Sequence, residues 1–164
     1  MPMKKSHEPC PLDQIEFEHT QQLQLLAIFD RITTSDDSRD MARSAPEVLT
    51  FLTQDLARHM EYEESALFPI LKQRCRLSDD IELILNQLSY EHGLDRDLVD
   101  FLVTDLERIS HGHHGSIPAR FHINARAFIE TQRRHIQWEN RIVLPLARKR
   151  LTYSDLADLS KRMT

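Results

Sequence analysis

Two segments of the chain carry the same pattern of histidine, glutamate and proline. The segment HMEYEESALFPIL occupies residues 59–71, and HIQWENRIVLPLA occupies residues 135–147. In both, glutamate is the fourth residue after histidine, an aromatic residue precedes it, and proline follows at the same distance. Residues four apart lie one above the other on one face of a helix. The pattern therefore predicts two helices that each present one ring nitrogen and one carboxylate on the same face.

Composition limits the classes of protein to which the chain can belong. Its 164 residues fit one domain, 1–164, and only three glycines argue against a turn-rich all-β fold. The net charge of −5 argues against a nucleic-acid surface and gives no reason to expect a membrane partner. No run approaches the ~18 apolar residues of a membrane span. We expect a cytoplasmic protein, because residues 1–13 lack the apolar run of a signal peptide and two cysteines, Cys10 and Cys75, match no metal or redox spacing.

Apolar residues recur at helical spacing along almost the whole chain. This periodicity predicts an all-α fold, an up-down-up-down antiparallel four-helix bundle with a short C-terminal helix and a core over about 12–150. Expected helices run over about 12–32, 46–75 and 79–109, then from 118, with Pro46 and Pro118 in first turns and Ser78 and Ser154 as N-caps. Pro69 and Pro145 fall inside helices, so each predicts a kink or a helix end.

Six polar residues interrupt the apolar faces of these predicted helices. Counted from the expected helix ends, the four histidines among them fall at one height, which for the first two is about 20 Å from their connecting loop at 1.5 Å per residue. A single histidine on such a face is usually a satisfied core residue, but six polar residues at one level need another explanation. The residues are His19, His59, Glu63, His92, His135 and Glu139.

Two buried carboxylates beside four imidazoles are best explained by a metal centre, because buried charges without partners are very costly. Glu63 and Glu139 can each bridge two metals, and His19 and His92 can each complete one of them. Each ion would then have two imidazoles and two shared carboxylate oxygens, with a bridging oxo or hydroxo group and an open place for a small molecule. Mixed imidazole and carboxylate ligation suits iron better than calcium or magnesium. The two halves of the chain thus predict equal shares of a two-iron site.

These residues resemble the hemerythrin family, specifically the hemerythrin-like HHE cation-binding domains, over about residues 12–150. The shared signature is H…HxxxEExxLFP…H…HxxxENxxxxP. The resemblance implies a four-helix bundle with a non-haem di-iron centre, and it implies that the six residues named above are the iron ligands. It also implies a small ligand or substrate, since various members bind oxygen, sense oxygen or iron, or act on nitric oxide or peroxide.

The chain departs from the oxygen-carrying members of that family at two positions. They have a second histidine four residues from the one on the third helix, where this chain has Arg96 after His92 and Leu88 before it. They end with a histidine and an aspartate five apart, where this chain has His135 and Glu139. Arginine stays protonated and cannot bind iron. One protein ligand is therefore missing, which favours redox chemistry or sensing over oxygen carriage.

Two classes of function follow: a di-iron protein that binds or reacts with oxygen, peroxide or nitric oxide, and a metal, oxygen or redox sensor without turnover. The sequence names no protein partner, and it does not settle whether the chain is an enzyme. A ferritin-type oxidase needs Glu-x-x-His on two helices, and only Glu16 and His19 have that spacing. Six converging ligands also exceed the four of a structural zinc site.

Other polar and aromatic residues are expected around the six. Tyr62 and Trp138 hold equivalent repeat positions and are interpreted as core aromatics, with a pocket wall, or for Tyr62 a phenolate ligand or hydrogen-bond donor, as the alternative. Glu16, Glu18 and Glu91 are interpreted as acids around the site or on the surface. The last group, in a loop far from the site, comprises His111, His113 and His114.

Overall fold

The computed structural model describes residues 10–35, 37–113 and 117–163, so His7 and His114 lie outside the described residues. Every regular element in these ranges is helical, which confirms the all-α fold. We number five helices: α1 (Pro11–Thr34), α2 (38–74), α3 (Ile81–Ser110), α4 (119–150) and α5 (Tyr153–Arg162). α2 joins Ser38–Thr50, Leu56–Tyr62 and Phe68–Arg74 through π-helical turns, and α4 joins Ala119–Trp138 and Leu144–Arg150 in the same way.

Helix α2 begins eight residues before Pro46, so the predicted start is wrong. Asp37 caps the helix, because its carboxylate accepts hydrogen bonds from the backbone N–H groups of Arg39 and Asp40, at 2.9 and 3.4 Å between nitrogen and oxygen. Pro46 is accommodated inside the helix. The acidic segment around residue 37 thus starts a helix, although the predicted helix began only at Pro46.

The predicted caps Ser78 and Ser154 are also wrong. Ser78 lies in a 3-10 turn, Leu77–Asp79, and α3 starts only after Asp80, whose φ of 49° breaks the chain direction. Helix α5 is capped by Thr152, whose hydroxyl accepts a bond from the backbone N–H of Asp155 while the Asp155 carboxylate accepts one from the backbone N–H of Thr152. The capping box explains the choice, since it satisfies two N–H groups at once.

The two prolines at matching positions of the repeat do not end their helices. A π-helical turn, Glu63–Leu67, precedes Pro69, and a second one, Glu139–Val143, precedes Pro145. Proline lacks an N–H and its ring crowds the preceding turn, so a wider turn before it relieves the clash. Both π turns begin at the glutamate of the histidine–glutamate pair. The repeat in the sequence therefore corresponds to two matching π-helical turns, and each begins at a glutamate.

The helices pack as a bundle around a core that is divided into two parts. Helix α1 contacts α2 and α4, and α3 contacts the same two helices. One apolar cluster includes Phe29, Phe51 and Phe128, and the other includes Leu71 and Leu85. The six polar residues of the repeat lie between the two clusters along the sequence of every long helix. Within the part of the chain that the structure describes, no helix combines the length and apolarity needed to cross a membrane.

Removing the cap of α2 is expected to destabilise the protein. In Asp37→Ala the backbone N–H groups of Arg39 and Asp40 lose their side-chain acceptor, which costs about 1 kcal/mol of unfolding free energy. Urea unfolding followed by circular dichroism measures the change. Asp55→Ala is the matched control, because Asp55 is a partly buried residue of the same helix whose carboxylate pairs with Arg58 at 3.0 Å. Equal stability of the two variants would contradict the capping role.

Candidate metal centre

The structure brings all six predicted residues together in the middle of the bundle. They form two groups of four side chains, and within each group one ligand atom from every residue lies within 4.8 Å of the others. Both groups contain Glu63 and Glu139. The first adds His19 and His59, and the second adds His92 and His135. All six side chains are at most 5% exposed.

The first half of the site joins α1 to α2. The Nε2 atoms of His19 and His59 lie 3.2 Å apart. Glu63 Oε1 is 3.2 Å from His59 Nε2 and 3.9 Å from His19 Nε2. Glu139 Oε2 reaches in from α4 and lies 3.0 Å from His19 Nε2. Two ring nitrogens and two carboxylate oxygens thus face one another.

The second half joins α3 to α4 and repeats this arrangement. The Nε2 atoms of His92 and His135 lie 3.0 Å apart. Glu139 Oε1 is 3.0 Å from His135 Nε2, and Glu63 Oε2 is 3.4 Å from His92 Nε2. Each glutamate therefore turns one carboxylate oxygen towards each half. This is the geometry that a carboxylate shared between two cations requires.

Each histidine is oriented by a polar side chain on its outer nitrogen. Nδ1 of His59 donates to Glu18 Oε2 at 2.8 Å, and Nδ1 of His135 donates to Glu91 Oε2 at 3.2 Å. The other two outer bonds run from His92 Nδ1 to Glu64 Oε1, at 2.7 Å, and from His19 Nδ1 to Asn140 Oδ1, at 2.6 Å. An oxygen acceptor on Nδ1 fixes the proton there and leaves the lone pair on Nε2 directed inward.

Two acids that adjoin a histidine in the sequence contact a different histidine, which lies on the neighbouring helix. Glu18 adjoins His19 but contacts His59, and Glu91 adjoins His92 but contacts His135. The prediction that they surround the site is therefore right. Glu64 and Asn140 were missed, although the signal was present: each directly follows a glutamate of the repeat.

Burial and charge act against each other in the pKa values of the site. Burial alone lowers the pKa of His59, but the charge of Glu63 and hydrogen bonds from the ring to Glu18 and Glu63 raise it to about 10. For Glu139, burial raises the pKa, but the charge of His135 and its hydrogen bond hold it well below the ordinary value. The pKa of His92 is lowered, because burial outweighs the charge of Glu63. The His59 imidazolium and the neighbouring carboxylates therefore stabilise one another, and a bound cation would take the place of the ring proton.

The donor set fits metal ions. Glu63 Oε2 and Glu139 Oε2 are buried without a hydrogen bond, although Glu139 Oε2 is 3.0 Å from His19 Nε2. Such unsatisfied atoms are costly unless a cation meets them. Donors at right angles to one another and about 2.1 Å from an ion lie about 3 Å apart. The closest nitrogen and oxygen distances of both halves agree with that spacing.

A second polar layer lies one helical turn from the histidines, and the sequence interpretation missed it. Gln132 Nε2 donates to Asp95 Oδ2 at 2.6 Å, and Asp95 Oδ1 is buried without a partner. Both residues are at most 2% exposed, and Gln22 is buried at the corresponding position of α1. Burial raises the pKa of Asp95 to about 6. The position of Asp95, three residues after His92, gave a spacing signal, but its partner lies on another helix.

Three other residues that the sequence analysis named lie outside the converging set. The hydroxyl of Tyr62 donates to the backbone carbonyl of Leu159 at 3.1 Å, so it is half-buried under α5. Trp138 is 38% exposed, so its interpretation as a core aromatic is wrong. Its equivalent, Tyr62, is covered by α5. Glu16 is paired with Arg148 at the surface, which removes the support for a ferritin-type site.

The two described histidines of the α3–α4 connection do not join the converging residues. His111 and His113 are exposed, and His111 Nδ1 contacts the carbonyl of Glu107 at 2.7 Å. A cavity of about 700 Å³ lies instead beside the first half of the site, between α1, α2 and α5. His59 and Glu18 line it together with Tyr62 and Arg162. The cavity leads from the surface to the outer edge of His59.

Comparison with known proteins adds one match. The family model described as the hemerythrin HHE cation-binding domain matches residues 10–147. This range contains all six converging residues and ends within α4. No curated protein sequence matches the chain.

Proposed function

The chain belongs to the hemerythrin HHE cation-binding domain family, and from this premise we propose that it is a non-haem di-iron protein that binds or reacts with a small oxidant. The proposed cofactor is two iron ions bridged by an oxo or hydroxo group. The proposed oxidants are oxygen, peroxide and nitric oxide. The observation that carries the proposal is that Glu63 and Glu139 each turn one carboxylate oxygen to each half of the site.

The six converging residues divide the work of holding the metals. His19 and His59 would hold one ion, His92 and His135 would hold the other, and Glu63 bridges the two halves together with Glu139. Imidazole and carboxylate oxygen form a donor set that suits iron. When bound, two irons supply the capacity to exchange electrons with a small molecule.

The surrounding residues keep the donors in place and cover the site at both ends of the bundle. The Nδ1 hydrogen bonds prevent the rings from rotating, so the inward lone pairs are set before a metal arrives. The two apolar clusters close the site from both ends of the bundle. Each half has two imidazoles and two shared carboxylates, which leaves room for a ligand that the protein does not supply. Arg96, at the position where oxygen carriers have a histidine, lies in a groove between α2 and α3 with Met60.

Metal analysis tests the proposal. We expect about two irons per chain and near-ultraviolet absorption from the aerobically purified protein. His59→Ala and His135→Ala should each lose the iron of one half of the site, because each removes an inward nitrogen from that half. His122→Ala is the control, since His122 is exposed and its ring contacts the carbonyl of Thr33 and the ring of Phe121 instead of the site. One colourless zinc per chain, unchanged in the variants, would overturn the proposal.

Reaction with oxidants distinguishes a protein that is oxidised by its ligand from one that carries oxygen reversibly. We expect the anaerobically reduced protein to be oxidised on stopped-flow mixing with oxygen, because each half has room for an exogenous ligand. Parallel mixing with peroxide and with nitric oxide identifies the preferred oxidant. An adduct that releases oxygen under vacuum would show that the protein is an oxygen carrier.

A sensor without turnover is the alternative, and the position of α5 favours it. Tyr62, next to Glu63, is bonded to α5, and the guanidinium of Arg162 donates to the carbonyl of Ser65 at 3.2 Å. That carbonyl is the one for which Pro69 supplies no N–H. A change at Glu63 could therefore reach α5 through two hydrogen bonds. A sensor predicts that amide exchange in α5 differs between oxidised and reduced protein, with no catalytic consumption of oxidant.

A further inference from the structure

The surroundings of the two halves match pair by pair, as the internal repeat requires. Each half has one carboxylate on the outer nitrogen of a histidine, one glutamine that donates to that carboxylate, and one arginine whose charge acts on it. In the first half these residues are Glu18, Gln14 and Arg58, and in the second they are Glu91, Gln87 and Arg134. Each set has the same formal charge, although Arg134 donates directly to Glu91 at 3.1 Å whereas Arg58 donates to Asp55 at 3.0 Å.

The balance is broken at the remaining outer position. His92 Nδ1 donates to the carboxylate of Glu64 at 2.7 Å, and the hydroxyl of Ser89 donates to the other oxygen of that carboxylate at 3.0 Å. At the equivalent place, His19 Nδ1 donates at 2.6 Å to the amide oxygen of Asn140. The hydrogen bonds are alike in length. They differ in that one acceptor is an anion and the other is neutral.

A second difference between the two halves also places an acid on the side of His92. Three residues after His92 stands Asp95, which is 1% exposed, and three residues after His19 stands Gln22, which is 5% exposed. The carboxyl group is again on the side of His92 and His135. Both departures from the repeat therefore place acidic groups around one half of the site and amides around the other.

A carboxylate on Nδ1 makes the opposite ring nitrogen a stronger donor to a metal, and losing such a partner typically costs about 10- to 100-fold in metal affinity. We infer that the half containing His92 and His135 binds its metal more tightly and fills first. Asn140 is then the positioning residue that leaves the half containing His19 and His59 weaker. This inference rests on the proposed metal-binding function and deepens it by assigning unequal roles to the two halves.

Calorimetric titration of the metal-free protein with cobalt(II) under anaerobic conditions tests the inference. Wild type should show two binding steps whose affinities differ by about 10-fold or more. His92→Ala should lose the tight step, and His19→Ala should lose the weak step. Circular dichroism checks that both variants are folded. A tight step that survives in His92→Ala and disappears in His19→Ala would overturn the assignment.

Conservative substitutions provide a second test, which leaves all six converging residues in place. Asn140→Asp should tighten the weak step by about 10-fold and bring the two affinities together. Glu64→Gln should also reduce the difference between the two affinities, in this case by weakening the tight step. Asp105→Asn is the matched control, because Asp105 is a buried acid of α3 that contacts Arg120 instead of the site, and it should change neither step. Unchanged affinities in both Asn140→Asp and Glu64→Gln would overturn the inference.

The outcomes also separate this inference from the proposed function. If wild type binds no cobalt and contains no iron, the proposed metal function fails, and the inference fails with it. If wild type binds two ions with equal affinities, the metal function stands and only the inequality of the halves is refuted.

Discussion

Replacing Glu63 with alanine is expected to empty both halves of the metal site, whereas replacing a single histidine should empty mainly one. Glu63 Oε1 is 3.2 Å from His59 Nε2, and Glu63 Oε2 is 3.4 Å from His92 Nε2, so the one carboxylate serves both halves. Its loss removes a negative charge and one donor atom from each half of the site. Glu139→Ala should have the same effect, because Glu139 faces His19 with one oxygen and His135 with the other.

Iron per chain, measured on purified variants, tests this expectation. Glu61→Ala is the control, since Glu61 lies two residues before Glu63 on α2 but is exposed. The control should keep the iron content of wild type. If Glu63→Ala keeps one iron while Glu139→Ala keeps none, the two carboxylates are not equivalent and the shared-ligand interpretation is wrong.

The convergence of the six residues follows from the sequence, although one argument for it used a wrong boundary. His59 was placed level with His19 by counting from Pro46, whereas α2 begins at Ser38. The periodicity of apolar residues nevertheless fixed the inward face of each helix, and the repeat supplied the match between halves. Helix starts depend on which of several neighbouring acids or hydroxyls caps the first turn, and Asp37 cannot be told from its neighbours by residue type.

The residues around the six were harder to predict, because they act between helices. Glu18 precedes His19 yet orients His59, so the partner of an outer residue depends on packing that periodicity does not describe. Asn140 follows Glu139 but contacts His19 on α1. A pattern of regular α-helical spacing also does not predict the π turns that begin at Glu63 and Glu139. Proline gave the position of this irregularity, but not its form.

The buried carboxyl group of Asp95 is expected to cost the metal-free protein stability at neutral and alkaline pH. Burial raises its pKa to about 6, from a usual value near 4, so ionising it in the folded state is unfavourable. Its folded pKa lies above its unfolded pKa. Stability from this group is therefore greatest at low pH and falls as pH rises through the interval from about 4 to about 6.

Asp95→Asn should remove this dependence and stabilise the metal-free protein by about 1–2 kcal/mol at pH 8, because asparagine stays neutral and its amide oxygen can still accept the bond from Gln132. Urea unfolding at pH 5 and pH 8 measures the difference between the variant and wild type, which should be smaller at pH 5. Asp105→Asn is the control: Asp105 is equally buried but paired with Arg120, so its replacement should bring no gain. A variant less stable than wild type at pH 8 would show that the Asp95 carboxylate is favourable where it lies, held by a charge that outweighs its burial.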